Sequence, residues 1–209
     1  MTAAAAVPVG TELKLNIGCG ISGATGWCNI DNSPTILLAR LPLARQILRS
    51  PAWPRDVRRI DVLNGLPFPD DSVAYIYSSH LLQGLTYAES LGLMKDAARV
   101  LRMDGVLRVA VPDLEKVVKD YLADPDPFAS HKMLKRLSLK PNAIRDLLRK
   151  GRRYEQMFDR RSLMQLFMDA GFTSPIVCGF RESSISDIAA IELEQRKNES
   201  LYVEARKGL

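Results

Sequence analysis

One stretch constrains this chain more than any other: Leu13–Asp31, reading LKLNIGCGISGATGWCNID. Leu13, Leu15 and Ile17 alternate as the apolar positions of a buried or half-buried strand do. That strand runs directly into Gly18-Cys19-Gly20, where glycine lets the backbone take positive φ and lets a ligand approach closely. A second short apolar run, Trp27–Ile30, ends in Asp31. In open α/β sheets ligands bind beyond the carboxyl ends of the strands, and a carboxylate at such a tip can hold a pair of ribose hydroxyls.

Gly18-Cys19-Gly20-Ile21-Ser22-Gly23 fits the dinucleotide pattern G-x-G-x-x-G, but that pattern expects its acid about 20 residues later. Asp31 follows Gly23 by only eight positions. The phosphate-binding pattern G-x-x-x-x-G-K-[ST] is missing at this glycine turn. Asn16, Gly18, Gly20 and Asp31 instead resemble motif I of class I S-adenosylmethionine (SAM)-dependent methyltransferases. The seven residues between Gly20 and Cys28 are too few for a regular crossover helix, since parallel pairs normally need a dozen or more. The first helix is therefore expected to shrink to a turn. A small bacterial subgroup, type 11-like, is similar in this: GCG, a brief loop, GW, then an N-x-D strand.

The resemblance continues downstream. Val57–Leu63 reads as a third strand with Asp61 near its end, followed by Leu66-Pro67-Phe68-Pro69-Asp70-Asp71-Ser72, a close match to the subgroup's L-P-F-P-D-x-S loop. By resemblance, Asp61 meets the adenine amino group and Val62 supplies an apolar wall. Val73–Ser78 is the fourth strand, continuing into Ser79-His80. Where relatives carry Glu-His, this chain has Gln83-Gly84. Thr86-x-x-Glu89 is a capping box for a helix from about Tyr87 to Leu101. Met103-Asp104-Gly105 reads as a turn into a fifth strand, Val106–Val111, and Asp113 as the cap of the next helix. Ser162–Ala170 reads as a helix ended by Gly171. Ile176–Phe180 and Leu201–Arg206 are the last strands, expected to pair as an antiparallel hairpin. Ser33-Pro34 starts a helical segment over Thr35–Leu48 with Pro42 inside it, and residues 1–10 read as a loose tail.

The expected fold is therefore α/β: a Rossmann-like seven-stranded sheet with helices on both faces, in one domain over 1–209. Residues 124–158 form a basic helical insertion or lid within it. Between His131 and Arg161 stand eleven Lys/Arg against three acids, an excess larger than the net +5 of the whole chain. A solvated face and an anion-attracting lid are both open for it. The net charge gives no argument for nucleic acid. Cys19, Cys28 and Cys178 form no C-x-x-C, so neither a metal site nor a disulfide framework is expected, and a reducing cytoplasm is the default. No run of 18 apolar residues stands in the sequence, so no membrane span is expected. The oligomeric state is left open.

The resemblance implies SAM as cofactor, held by Asn16, Gly18, Cys19, Gly20, Asp31, Asp61, Val62 and Ser79. It implies methyl transfer to an unidentified small-molecule or saccharide acceptor, which the basic stretch suggests is anionic. His80, at the end of the fourth strand, is the candidate catalytic base, with Tyr154 and His131 behind it. The alternative is a catalytically inert binder that keeps the pocket and uses the basic insertion to hold a partner.

Overall fold

The computed structural model describes residues 12–39, 53–124, 126 and 155–208. The tail over 1–10, most of the 124–158 stretch with His131 and Tyr154, and the Leu41–Leu48 part of the first helix lie outside them. A seven-stranded sheet runs in the order β3-β2-β1-β4-β5-β7-β6. β1 (Lys14–Ile17), β2 (Cys28–Asp31), β3 (Arg58–Arg59), β4 (Val73–Ser79) and β5 (Leu101–Pro112) are parallel. β7 (Ser200–Arg206) runs antiparallel to both β5 and β6 (Thr173–Cys178), giving the expected terminal hairpin.

β1 passes to β2 with no helix between them. Buried Asn29 organises this short connection. Its Oδ1 accepts from Ala24 N at 3.0 Å and from Asn16 Nδ2 at 2.9 Å, while its Nδ2 donates to Ala24 O, Trp27 O and the Asp56 carboxylate. One side chain thus satisfies backbone groups that a helix would have satisfied internally. A Cβ on Gly23 would lie 3.2 Å from the Asn29 amide and from Pro54, so glycine lets the loop close tightly over this residue.

Among the described residues are four α-helices, α1 (Thr35–Ala39), α2 (Tyr87–Val100), α3 (Leu114–Ala123) and α4 (Arg160–Asp169), and α2 and α4 cover one face of the sheet. Met94, Ala97 and Val100 of α2 and Leu163, Leu166 and Phe167 of α4 are buried against Ile76, Leu107 and Val203. Each large aliphatic or aromatic side chain so buried contributes about 1.5–3 kcal/mol. The Thr86/Glu89 capping box forms as the sequence predicts. α4 closes on a Schellman turn: Phe172 N bonds Phe167 O and Gly171 N bonds Met168 O, with the two phenylalanine rings edge-on at 5.5 Å.

On the other face Ala24 and Trp27, from the short loop, pack with Tyr77 and Val106 against Ile185, Ile188 and Ile191. The β6–β7 connection thus crosses back over the sheet. It is pinned by Arg108, fully buried, whose guanidinium donates to Glu192 Oε1 at 2.7 Å and to the carbonyls of Glu182 and Gly179.

Three expected elements differ. The third strand is only Arg58–Arg59, because Asp61 accepts from Leu63 N and turns the chain into a 3-10 turn, Val62–Asn64. The Met103–Gly105 turn lies inside β5, where the ladder to β4 shifts between Val73 and Tyr75 and Asp104 takes φ 60. It is a bulge, which adds residues to one strand without ending it. The sixth strand begins at Thr173, three residues earlier than expected.

Candidate functional site

The carboxyl ends of β1, β2 and β3 open into a cleft of about 350 Å³. Gly18, Asp31, Ser33, Asp61 and Val62 line it, facing a wall made by Leu81, Gly84 and Leu85. Gly18 has φ +70, and a Cβ there would meet the Leu81 side chain at 3.2 Å. The two sides therefore approach as closely as a glycine allows. Gly18 N and Cys19 N both donate to Ile30 O, at 2.8 and 3.1 Å, which folds the glycine turn back onto β2.

Asp31 sits at the rim, partly exposed. Its Oδ2 accepts from Gly20 N at 3.0 Å and its Oδ1 from Ser33 N at 2.7 Å. A carboxylate has about four acceptor positions, so a second pair of donors can still be taken. Asp61 also lines the cleft, with Ile60, Val62 and Leu63 as apolar neighbours.

The other predicted site residues fall outside this lining. Asn16 is buried and its amide points to Asn29, so it supports the loop. Cys19 packs with Ile36, Val57 and Trp53. Burial, with Asp31 adding, pushes its thiol up to about 12, so it stays neutral. Gly20 adjoins the cleft through its bond to Asp31. Ser79 ends β4, beyond the lining. Asp113 caps α3 (Leu114–Ala123), accepting from Glu115 N and Lys116 N.

His80 follows β4 in the left-handed region, φ 55. Its N–H donates to Ala110 O, and Gln83 Nε2 donates to its carbonyl at 2.6 Å. Its ring is turned toward the start of β7. Arg196 reaches Nδ1 at 3.1 Å and Ser200 Oγ lies 2.7 Å from Nε2. A guanidinium only donates, so Nδ1 is the acceptor and Nε2 carries the hydrogen. His80 is held as a neutral imidazole whose basic nitrogen faces a cation.

Sequence reasoning missed Leu81, Gly84 and Leu85 as the cleft wall, and Arg196 and Ser200 as partners of His80. Gln83-Gly84 marked the first group as unusual. Nothing local marked the second, which arrives from 116 and 120 residues away. Among the described residues no three His, Cys, Asp or Glu side chains gather as a metal site, and no described helix is long and apolar enough to cross a membrane.

Residues 15–109 match the family model described as a methyltransferase domain. Over those residues, the first five strands of the sheet, the chain is similar to a methyltransferase domain. No curated protein matches the sequence. Among solved structures, a SAM-dependent methyltransferase from Archaeoglobus fulgidus matches at 12% identity and TM-score 0.52, over 95% of this chain and 87% of that one. One from Mesorhizobium loti matches at 19% identity and TM-score 0.51, over 95% and 92%. A possible exported protein from Bordetella parapertussis matches at 16% identity and TM-score 0.53, over 95% of this chain and 62% of that one. This chain thus spans less than two thirds of that relative's length. At such identities these structures share the fold.

The Archaeoglobus fulgidus and Mesorhizobium loti proteins are SAM-dependent, and the lining of this cleft has the chemistry that a nucleoside needs. Its lining offers the Asp31 carboxylate at the rim, the Asp61 carboxylate, the apolar side chains of Ile60, Val62 and Leu63, and a turn that carries no side chain at Gly18.

Proposed function

We propose that this protein transfers a methyl group from SAM to an anionic small-molecule or saccharide acceptor. The observation that carries the reading is the convergence of Gly18, Asp31, Asp61 and Val62 on one cleft. Asp31 takes the ribose hydroxyls, Asp61 the adenine amino group, and Val62 and Leu85 enclose the ring. The Gly18–Gly20 turn leaves room for the amino-acid end of the cofactor. SAM supplies an activated methyl group, and the protein's part is to bind, orient and exclude water.

His80, in its neutral state against Arg196, is assigned a positioning role in place of the base expected from the sequence. The excess of Lys and Arg between 131 and 161 supports an acceptor carrying phosphate or carboxylate. All three cysteines are unpaired thiols, which supports a reducing cytoplasm as the setting.

Calorimetric titration with SAM, S-adenosylhomocysteine and NAD tests the reading. Binding of the first two and not of NAD is expected. Tight NAD binding with no response to the SAM pair overturns it.

A further inference from the structure

Beside the nucleoside cleft, at the same edge of the sheet, stands a second group of polar side chains. β7 is antiparallel to β5, so its first residue, Ser200, lies opposite Pro112 at the carboxyl end of β5. His80 lies at the carboxyl end of β4, one residue before Leu81 of the cleft wall. Arg196 and Glu199 come from the end of the β6–β7 connection. The four meet where open α/β sheets bind ligands, on the β5/β7 side of the cofactor cleft.

We propose that Arg196, presented by His80 and Ser200, binds a carboxylate or phosphate of the methyl acceptor. This rests on the methyltransferase reading above. Arg196 is the cation of the group, and its side chain is 29% exposed. Neutral His80 fixes one edge of the guanidinium without cancelling its charge, and a planar guanidinium so fixed is suited to bidentate binding of an oxyanion. His80 Nε2–H is given to Ser200 Oγ, so the serine proton is directed elsewhere and supplies a second donor. The counter-ion of Arg196 is Glu199, three residues on, with 37% of its side chain exposed. Exposed pairs of this kind contribute little, so an incoming anion displaces that carboxylate readily. The Asp113 carboxylate nearby is engaged by the helix N–H groups it caps.

His80 itself is held in a backbone region that non-glycine residues seldom adopt. Four contacts hold it: the Ala110 carbonyl, the Gln83 amide and the two ring partners, Ser200 and Arg196. Strained residues that surrounding structure fixes this fully cluster at ligand sites.

The test uses the full chain saturated with S-adenosylhomocysteine, at constant pH and ionic strength. Inorganic phosphate and acetate are titrated separately while the His80 ring nitrogens are followed by NMR, with His80→Gln assigning the signal. A saturable shift of Nδ1 with either anion is expected, phosphate and acetate reporting phosphoryl and carboxylate acceptors respectively. Arg196→Gln should weaken that binding at least tenfold, and Ser200→Ala should weaken it less. Lys95→Gln, an exposed position on α2 outside the basic stretch, should leave it unchanged. Wild-type protein that binds S-adenosylhomocysteine but shows no saturable shift overturns the proposal, as does an unaltered response in folded Arg196→Gln. Failure to bind S-adenosylhomocysteine at all would instead overturn the methyltransferase reading beneath it.

Discussion

The Gly20 N–H donates to the Asp31 carboxylate across 3.0 Å, tying the glycine turn to the tip of the second strand. The residue proposed to hold the ribose therefore also shapes the turn beside it. Asp31→Ala should lose both functions. Hydrogen bonds to a charged group contribute about 1.5–3 kcal/mol each, so S-adenosylhomocysteine affinity should fall at least tenfold. Asp31→Asn should also bind weakly, because its amide nitrogen would face the N–H of either Gly20 or Ser33. Calorimetry on the folded variants decides it, and unchanged affinity would remove Asp31 from the site.

The two glycines of the turn should respond differently to alanine. Both hold positive φ, +70 at Gly18 and +56 at Gly20, which costs a non-glycine residue about 1–2 kcal/mol. At Gly18 the new methyl also meets Leu81 at 3.2 Å, whereas at Gly20 nothing lies within 4 Å. Gly18→Ala should therefore lower the melting temperature more and also disturb cofactor binding by moving the cleft wall. Equal losses in both variants would mean the Gly18–Leu81 approach has no consequence.

Local chemistry explains which parts of this architecture were legible in the sequence. The glycine turn, the Thr86/Glu89 box, the Asp113 cap and the Gly171 helix end each rest on residues within a few positions of one another, and all formed as read. The third strand shrank because Asp61 prefers to cap the turn after it. The bulge at Asp104 looked like a turn because both need the same positive φ. Asn16 matched its motif in spelling, but its amide is turned to Asn29, a pairing that motif spacing does not encode. The cover over the second face and the partners of His80 come from the β6–β7 connection, far away in the chain. Only tertiary packing brings them together.

That cover is held to the start of the chain by Asp187, whose Oδ2 accepts from Lys14 Nζ at 2.6 Å and Trp27 Nε1 at 3.1 Å. Asp187→Ala removes both bonds, but it also removes a buried Oδ1 with no hydrogen-bond partner. The two effects oppose, so the net loss should be about 1–2 kcal/mol in urea denaturation. Trp27 should become more mobile, with a red-shifted emission, while Trp53, near Ile36 and Val57, stays as it is. Wild-type stability and an unshifted emission spectrum would show that the apolar contacts of Ile185, Ile188 and Ile191 hold the cover alone.

Arg108 is the buried charge on which that same connection closes, and its removal should leave a pH signature. The guanidinium serves Glu192 at 2.7 Å and lies 3.4 Å from Glu204, and all three residues are buried. Arg108→Met would leave two carboxylates without their cation, a loss of about 3–5 kcal/mol at pH 7. In the wild-type protein burial pushes the Glu204 carboxyl up. The Ser183 and Ser184 hydroxyls, the Ser184 N–H and Arg108 outweigh it, and the group lies below the ordinary glutamate value. A carboxylate lowered on folding stabilises the protein above its unfolded pKa, about 4.3, and that contribution disappears as pH falls through the lower folded value. In Arg108→Met the Glu204 carboxyl keeps its serine donors but loses the cation, so it protonates more readily than in the wild type and acid relieves part of the penalty. The stability gap between wild type and variant should therefore narrow as pH falls from 7 toward 4.5, measured by urea denaturation at each pH. A gap that stays constant over that range would mean that the serine donors alone hold Glu204 charged, and that Arg108 acts through the carbonyls of Gly179 and Glu182.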